Sequence, residues 1–490
     1  MCSRAAIVVA LLALGTAVAP SVSAQDLLVT HARLIDGTGA PPRDDVSILI
    51  RDGRFATIGP ASEVVAPADV RVLDARGRTV IPGLADMHVH FSLGAPLPRR
   101  ADETRAVLAR QLFYGVTTVM QLGGTEGDIE SIRRLKASAA QGSPVSPWIY
   151  GTGGHLTLPG THPIYTIFPA PLRAEADRLI AATPVEQPVD MLPLGVGLSF
   201  VRTESAARTA VDQRARGGMD AIKVIIESGP MPFGDDHPLM GVPMVSAIVA
   251  EAHARSLPVF AHISSPAELD IAIASGVDAV AHTVIDRPLP GHEVAARIAR
   301  SGVTVVPTLT LNDGAVEFLM APAYMDDPFF RATVSDAEIA ALKGDFAGMW
   351  MRNWEINAGG TGKDRKAAMR EHRADVLRSI GQMHAAGVPL VVGTDTGNPF
   401  VYPGYSVHRE LELLVEAGLT PLDAISAATH RAAQMLDADA EFGTVAPGRR
   451  ADLIVLDRDP LADIRNTRSI GEVVARGHVV DRAKLAEAAK

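Results

Sequence analysis

The run Asp86-Met87-His88-Val89-His90 sets two histidines at i and i+2. On an extended segment such a pair projects from one face, so both imidazoles can reach one ion. An isolated His-x-His is a weak signal, because paired histidines are also ordinary polar surface. Further residues of the same chemistry strengthen it. Lys223 stands inside the apolar run Ala221 to Ile226, and His262, His282 and Asp395 each fall at the end of such a run. A polar or charged group in that setting is costly unless paired. Four imidazoles, a lysine and a carboxylate brought to one place suit two divalent ions, and imidazole favours zinc over calcium or magnesium. The competing reading of Lys223 is an amine that snorkels to solvent or pairs with Asp395.

These residues need a frame that gathers strand ends. Between about 82 and 435, β-rich runs alternate with Ala-rich helical stretches, with candidate strands at 84–90, 117–122, 147–152, 221–226, 258–263, 278–283, 303–308 and 389–395. Eight such repeats predict an α/β protein, a (β/α)8 TIM barrel, whose loops after the strands shape the site. The two long connections, 153–200 and 309–380, are expected to act as lids. Near the start, Leu27 to Ile35, Ile48 to Ile50 and Phe55 to Ile58 flank the turn signal Asp52-Gly53; near the end, Asp452 to Leu456 and Ile470 to Val480 have the same character. Neither group could bury a core alone, so the two chain ends are expected to meet in one small β-sandwich. The resulting division is 1–24, 25–81, 82–435 and 436–490, with the barrel inserted between the halves of the sandwich.

Residues 1–24 read as a secretory signal. The apolar run Ala5 to Ala19 follows Arg4, is too short to span a bilayer, and leads to Val22-Ser23-Ala24, which suits cleavage after Ala24. A periplasmic or secreted protein is expected. The single cysteine, Cys2, would leave with the signal, so the remaining chain has no disulfide. Removing the signal takes Arg4 and no acid, moving the formal charge from −10 to −11. That charge, the lack of long Lys/Arg runs and an aromatic content of 4% argue against nucleic acid, and no second apolar run is long enough for a membrane span. The expected partner is a small-molecule or dipeptide-like substrate, with self-association into a homo-oligomer left open.

The chain resembles the metal-dependent amidohydrolase superfamily, and within it the imidazolonepropionase-like and Xaa-Pro dipeptidase-like hydrolases. The resemblance runs over nearly all of the chain after the signal. It rests on Ile81-Pro82-Gly83-Leu84 leading into Asp86 to His90, Gly115 to Val119, Thr152-Gly153-Gly154-His155, Lys223, His262, His282, Gly393-Thr394-Asp395-Thr396, and Gly443 to Gly448 running on to Ala451-Asp452-Leu453. It implies a carbamate on Lys223 bridging two metals, with His88, His90, Lys223 and Asp395 on one ion and Lys223, His262 and His282 on the other. A carbamate is an anionic, bidentate group, which an ammonium is not. Two such ions acidify a bridging water and polarise a carbonyl, and Asp395 is then placed to take the water's proton and pass it to the leaving amine.

His155, matching the Gly-Gly-His piece, is the leading substrate contact; His162, Tyr165, Asp235, Asp236 and His237 on neighbouring loops are further candidates. Trp350 and Trp354 read as helix packing. After His155 the chain departs from the dipeptidase-like pattern, which continues with glycine and acidic residues, whereas Leu156 to Pro163 follow here. The expected function is an exported metal-dependent hydrolase cleaving a C–N amide bond in a small peptide-like or cyclic amide. Alternatives are a lactonase or phosphotriesterase on the same two-metal site, a heterocycle deaminase, and a non-catalytic binding module. The deaminase reading expects one metal and a glutamate soon after the strand-five histidine, where Ser264 and Ser265 stand; the binding module expects lost ligands.

Overall fold

The computed structural model describes residues 26–91, 102–124, 128–168, 170–227, 237–282, 289, 291–343 and 365–490. The signal expected over 1–24, Asp235, Asp236, Trp350 and Trp354 lie outside them.

The first strands are β1 (Leu27–Leu34), β2 (Arg43–Arg51), β3 (Arg54–Pro60), β4 (Arg71–Asp74) and β5 (Thr79–Pro82). The middle of the chain supplies β6 (Leu84–Val89), β7 (Val116–Gln121), β8 (Trp148–Gly151), β9 (His155–Thr157), β10 (Val189–Asp190), β11 (Leu198–Phe200), β12 (Ile222–Ile225), β13 (Val259–His262), β14 (Ala279–Ala281) and β15 (Thr304–Val306). The last are β16 (Leu453–Leu456), β17 (Ile470–Ala475) and β18 (His478–Val479).

The two chain ends meet in one eight-stranded sheet of order β18-β17-β16-β5-β1-β2-β3, with β4 pairing β1. The junction is the antiparallel pair of β5 and β16, in register from Leu453 opposite Pro82 to Leu456 opposite Thr79. Strand alternation divides the residues between two cores. Leu453 and Val455 pack with Leu27, Val29, Ile48, Ile50 and Val80 in the sheet's own core, while Ile454 and Leu456 join the large core of the chain.

The remaining strands form a mixed α/β arrangement in two further sheets: β6-β7-β8, all parallel, and β10-β11-β9-β12-β13-β14-β15, parallel from β11 onward. Seven of the eight expected strands are present. The ladders do not close into one eight-stranded barrel, and the expected eighth strand, 389–395, forms no ladder. It makes separate backbone hydrogen bonds to both neighbours: Val305 N–H to Pro389 O (2.9 Å) and Val391 N–H to Val305 O (3.0 Å) on one side, Met87 N–H to Val392 O (3.0 Å) and Asp395 N–H to His88 O (2.8 Å) on the other. Pro389 has no N–H to donate, and Asp395 has a left-handed backbone with φ +62°, so regular pairing is interrupted at both ends. Gly393 allows the close approach, since a Cβ there would lie 2.4 Å from Val306 Cγ1 and 3.0 Å from His88 N.

Both long connections carry secondary structure among their described residues. Within 153–200, β9 enters the seven-stranded sheet beside β12. Leu156 is fully buried in the large core. Strands of two or three residues are too short to show a period of two in sequence. Within 309–380 lie helices Leu309–Met320, Pro328–Arg331 and Asp336–Leu342, and Phe330, Val334 and Ile339 are buried in the core. No helix among the described residues is long and apolar enough to cross a membrane.

Candidate metal centre

The C-terminal ends of the parallel strands deliver the titratable residues. β6 carries His88 at its interior and leads directly to His90; β12 carries Lys223; β13 ends on His262; His282 follows β14; Asp395 closes the segment after Pro389. All are buried or nearly so. Their rings form a continuous row, with centroid separations of 6.0 Å from His155 to His90, 5.2 Å from His90 to His88, 5.0 Å from His88 to His282, 4.4 Å from His282 to His262, and 5.2 Å from His262 to His162. Asp395 lies against this row: Oδ1 is 2.8 Å from His90 Nε2 and 3.3 Å from His88 Nε2, and Oδ2 is 3.9 Å from His282 Nε2. Five of the six expected ligands are thus brought together, and the sixth, Lys223, is buried on β12 within reach of the charges of Asp395 and Glu227. By proximity of ligand atoms, His88, His282 and Asp395 form one group, and His162, Glu227 and His262 a second.

In three of the rings, those of His90, His282 and His262, one nitrogen has its own partner, which fixes the nitrogen facing inward. His90 Nδ1 donates to Gly123 O at 2.8 Å and turns Nε2 to Asp395. His282 Nδ1 meets Thr308 Oγ1 at 2.8 Å, while its Nε2 lies 3.0 Å from His262 Nδ1. His262 Nε2 contacts Glu227 Oε2. The backbone is left-handed at His282 (φ +72°), Thr308 (φ +48°) and Asp395 (φ +62°). For residues other than glycine such conformations cost on the order of 1–3 kcal/mol each and persist where surrounding structure imposes them.

Burial holds the imidazoles of His88, His155 and His282 well below the usual histidine range, so they stand neutral with lone pairs available. Burial also acts on Asp395, but the facing His88 and His90 outweigh it and keep the carboxyl ionised. Burial brings the Lys223 amine down to about 7 against the opposing pull of Asp395 and Glu227. Lys223 Nζ and His88 Nδ1 are buried without a hydrogen-bond partner among the described residues. Neutral imidazoles, an ionised carboxylate and unpartnered buried nitrogens fit a divalent cation site.

Asp86, fully buried, joins β6 to the Asp395 segment. It accepts from Thr394 N–H (2.9 Å), Thr394 Oγ1 (2.6 Å) and His88 N–H (3.3 Å), and burial lifts its carboxyl to about 6. Sequence reasoning gave Asp86 no role and did not single out Glu227. The signal for Glu227 was its spacing: it stands four residues beyond Lys223, so an extended chain would turn both to one face.

Of the expected substrate contacts, His155 is half-buried beside His90, and its Nε2 donates to Leu122 O at 2.6 Å. His162 stacks on His262, with Nδ1 2.8 Å from Thr166 Oγ1. His237 Nδ1 donates to Gly160 O at 2.8 Å. Tyr165 turns its hydroxyl to Asp177 and its ring toward Phe200. His408, on helix Tyr405–Glu416, is fully buried between Thr467 Oγ1 and Tyr114 O and serves packing.

The sequence model of the amidohydrolase family matches residues 79–480. The chain belongs to the amidohydrolase family. It is an enzyme, a hydrolase of the class acting on C–N bonds. This amidohydrolase is 25% identical over 467 residues to ochratoxinase of Aspergillus niger, covering 91% of this chain and 84% of that one. It is 27% identical over 421 residues to imidazolonepropionase of Chromobacterium violaceum, covering 84% and 85%. The solved structure of a Xaa-Pro dipeptidase with methionine bound in its active site matches with a TM-score of 0.69, covering 93% of this chain and 99% of that one, at 22% identity, a likeness of fold alone. The expected kinship with the amidohydrolase family and with imidazolonepropionase is borne out.

Proposed function

We propose that this amidohydrolase is an exported enzyme that cleaves the C–N amide bond of a small peptide-like or cyclic amide. It would work with two divalent ions, zinc by ligand chemistry, at the open end of a (β/α)8 barrel, beside a β-sandwich built from residues 25–81 and 436–490. His88, His90, Lys223 and Asp395 would hold one ion, and Lys223, His262 and His282 the other. The observation that carries this reading is the convergence of the imidazoles of His88, His90 and His282 on Asp395 beside a buried Lys223 amine with no hydrogen-bond partner among the described residues. Export rests on the residues of 1–24.

When bound, two ions supply Lewis acidity, acidifying a water and polarising the substrate carbonyl. The rest is done by side chains. Neutral Lys223 Nζ would add to carbon dioxide, forming an N–C bond and releasing a proton, so that an anionic carbamate replaces an amine with no hydrogen-bond partner among the described residues. Asp395 accepts the proton of the attacking water and returns it to the leaving nitrogen. His155, with Nε2 held by Leu122 O, keeps Nδ1 for the substrate's polar group.

The test is a metal count on purified protein with a panel of N-acyl amino acids, dipeptides and cyclic amides assayed beside lactones and phosphotriesters. Two zinc ions per chain and turnover of amides are expected. Turnover of esters or phosphotriesters alone overturns the amide assignment, one ion per chain favours a deaminase, and none favours a binding module.

A further inference from the structure

Glu227 has no part in the ligand set just described. It lies two residues beyond β12, is 2% exposed, and its Oε2 contacts His262 Nε2. The other nitrogen of that ring, Nδ1, faces the centre, 3.0 Å from His282 Nε2. An imidazole that presents Nδ1 to a cation must carry its proton on Nε2, and the carboxylate oxygen against Nε2, Glu227 Oε2, is buried with no other hydrogen-bond partner among the described residues. His90 and His282 solve the same problem with Gly123 O and Thr308 Oγ1. His262 alone of the three uses an ionisable carboxylate, which also raises the basicity of the ring.

We infer that Glu227 is a positioning residue which fixes the tautomer and orientation of His262 for the second metal ion. The inference rests on the two-metal reading above. The proximity of His162, Glu227 and His262 also allows a different role, direct ligation of a cation by Glu227. Two observations favour positioning. His162 Nδ1 lies 4.0 Å from Glu227 but 2.8 Å from Thr166 Oγ1, which occupies it, and His262 Nε2 is already engaged by Glu227.

The experiment titrates metal-free wild type, Glu227→Gln and Glu227→Ala with zinc against a chromophoric chelator, alongside thermal unfolding of each metal-free chain. The expected result is a second-zinc affinity lower by about 10- to 100-fold in Glu227→Ala, a smaller loss in Glu227→Gln, whose amide oxygen can still accept from Nε2–H, and an unchanged first-zinc affinity in both. Two zinc ions bound as in wild type by both variants, whatever their thermal stability, overturns the role of Glu227 and leaves the two-metal reading standing. A third equivalent in wild type that both variants lose overturns it in favour of ligation. Fewer than two ions in wild type sinks the two-metal reading itself, and this inference with it.

Discussion

The eight-stranded sheet joining the chain ends and the strand ends around His88 and Asp395 are built on opposite terms. The inner face of the sheet is filled by Leu27, Val29, Ile48, Ile50, Val80, Leu453 and Val455, side chains whose only requirement is removal from water. The strand ends bury a row of imidazoles, Lys223, Glu227 and Asp395, each of which requires a partner. The first region gains stability by closing. The second spends it on left-handed backbone at His282, Thr308 and Asp395 and on an amine without a hydrogen bond. Substitutions in the two regions should therefore separate: those in the sheet change stability and leave turnover alone, and those at the strand ends change turnover and metal binding more than stability.

The largest separation is expected at Asp395. Asp395→Asn keeps the shape and an oxygen ligand but removes the base, so kcat on the best amide should fall by about 10²- to 10⁴-fold, while unfolding of the metal-free chain stays near wild type. An unchanged kcat at neutral pH would refute the proton role. In the sheet, Ile48 is fully buried. Ile48→Ala should lower the unfolding free energy by about 2–5 kcal/mol with kcat per folded molecule intact, and a loss of kcat at full folding would break the contrast.

Metal should act on the strand ends only. Zinc at about one hundred times its dissociation constant should stabilise wild type by about 2.7 kcal/mol, measured as the difference between chelator-treated and zinc-loaded unfolding. Ile48→Ala should keep that increment, and His282→Ala should lose most of it; an equal increment in His282→Ala would remove His282 from the ligand set. The smallest effect is expected at Thr308. Thr308→Val deletes the hydroxyl partnering His282 Nδ1, which should cost about 1 kcal/mol of stability and weaken zinc binding, with chemical unfolding and chelator competition as the readouts.

Much of the centre could be read from residue types. His88 and His90 at i and i+2, and Lys223, His262, His282 and Asp395 at the ends of apolar runs, mark themselves because polar groups at such places need a reason. Seven of the eight candidate strands were legible from the same runs. The eighth was legible as an apolar run, but Pro389 and the left-handed Asp395 keep it from pairing as a strand. The strands of 153–200 were not legible, because β9, β10 and β11 have only two or three residues each.

By itself the sequence determined the alternation of strands and helices, the kinship carried by motifs from Ile81 to Leu453, and the identity of the metal-ligand candidates. These depend on local periodicity and residue type. Tertiary structure alone decided that β9 lies beside β12, that Glu227 meets His262, that Asp86 joins His88 to Thr394, and that Gly123 O, Thr308 Oγ1 and Glu227 set which nitrogen each imidazole turns inward. Such contacts join residues up to 308 positions apart. A side chain's hydrogen-bond partner is set by where the packed strands end in space, which local periodicity does not encode.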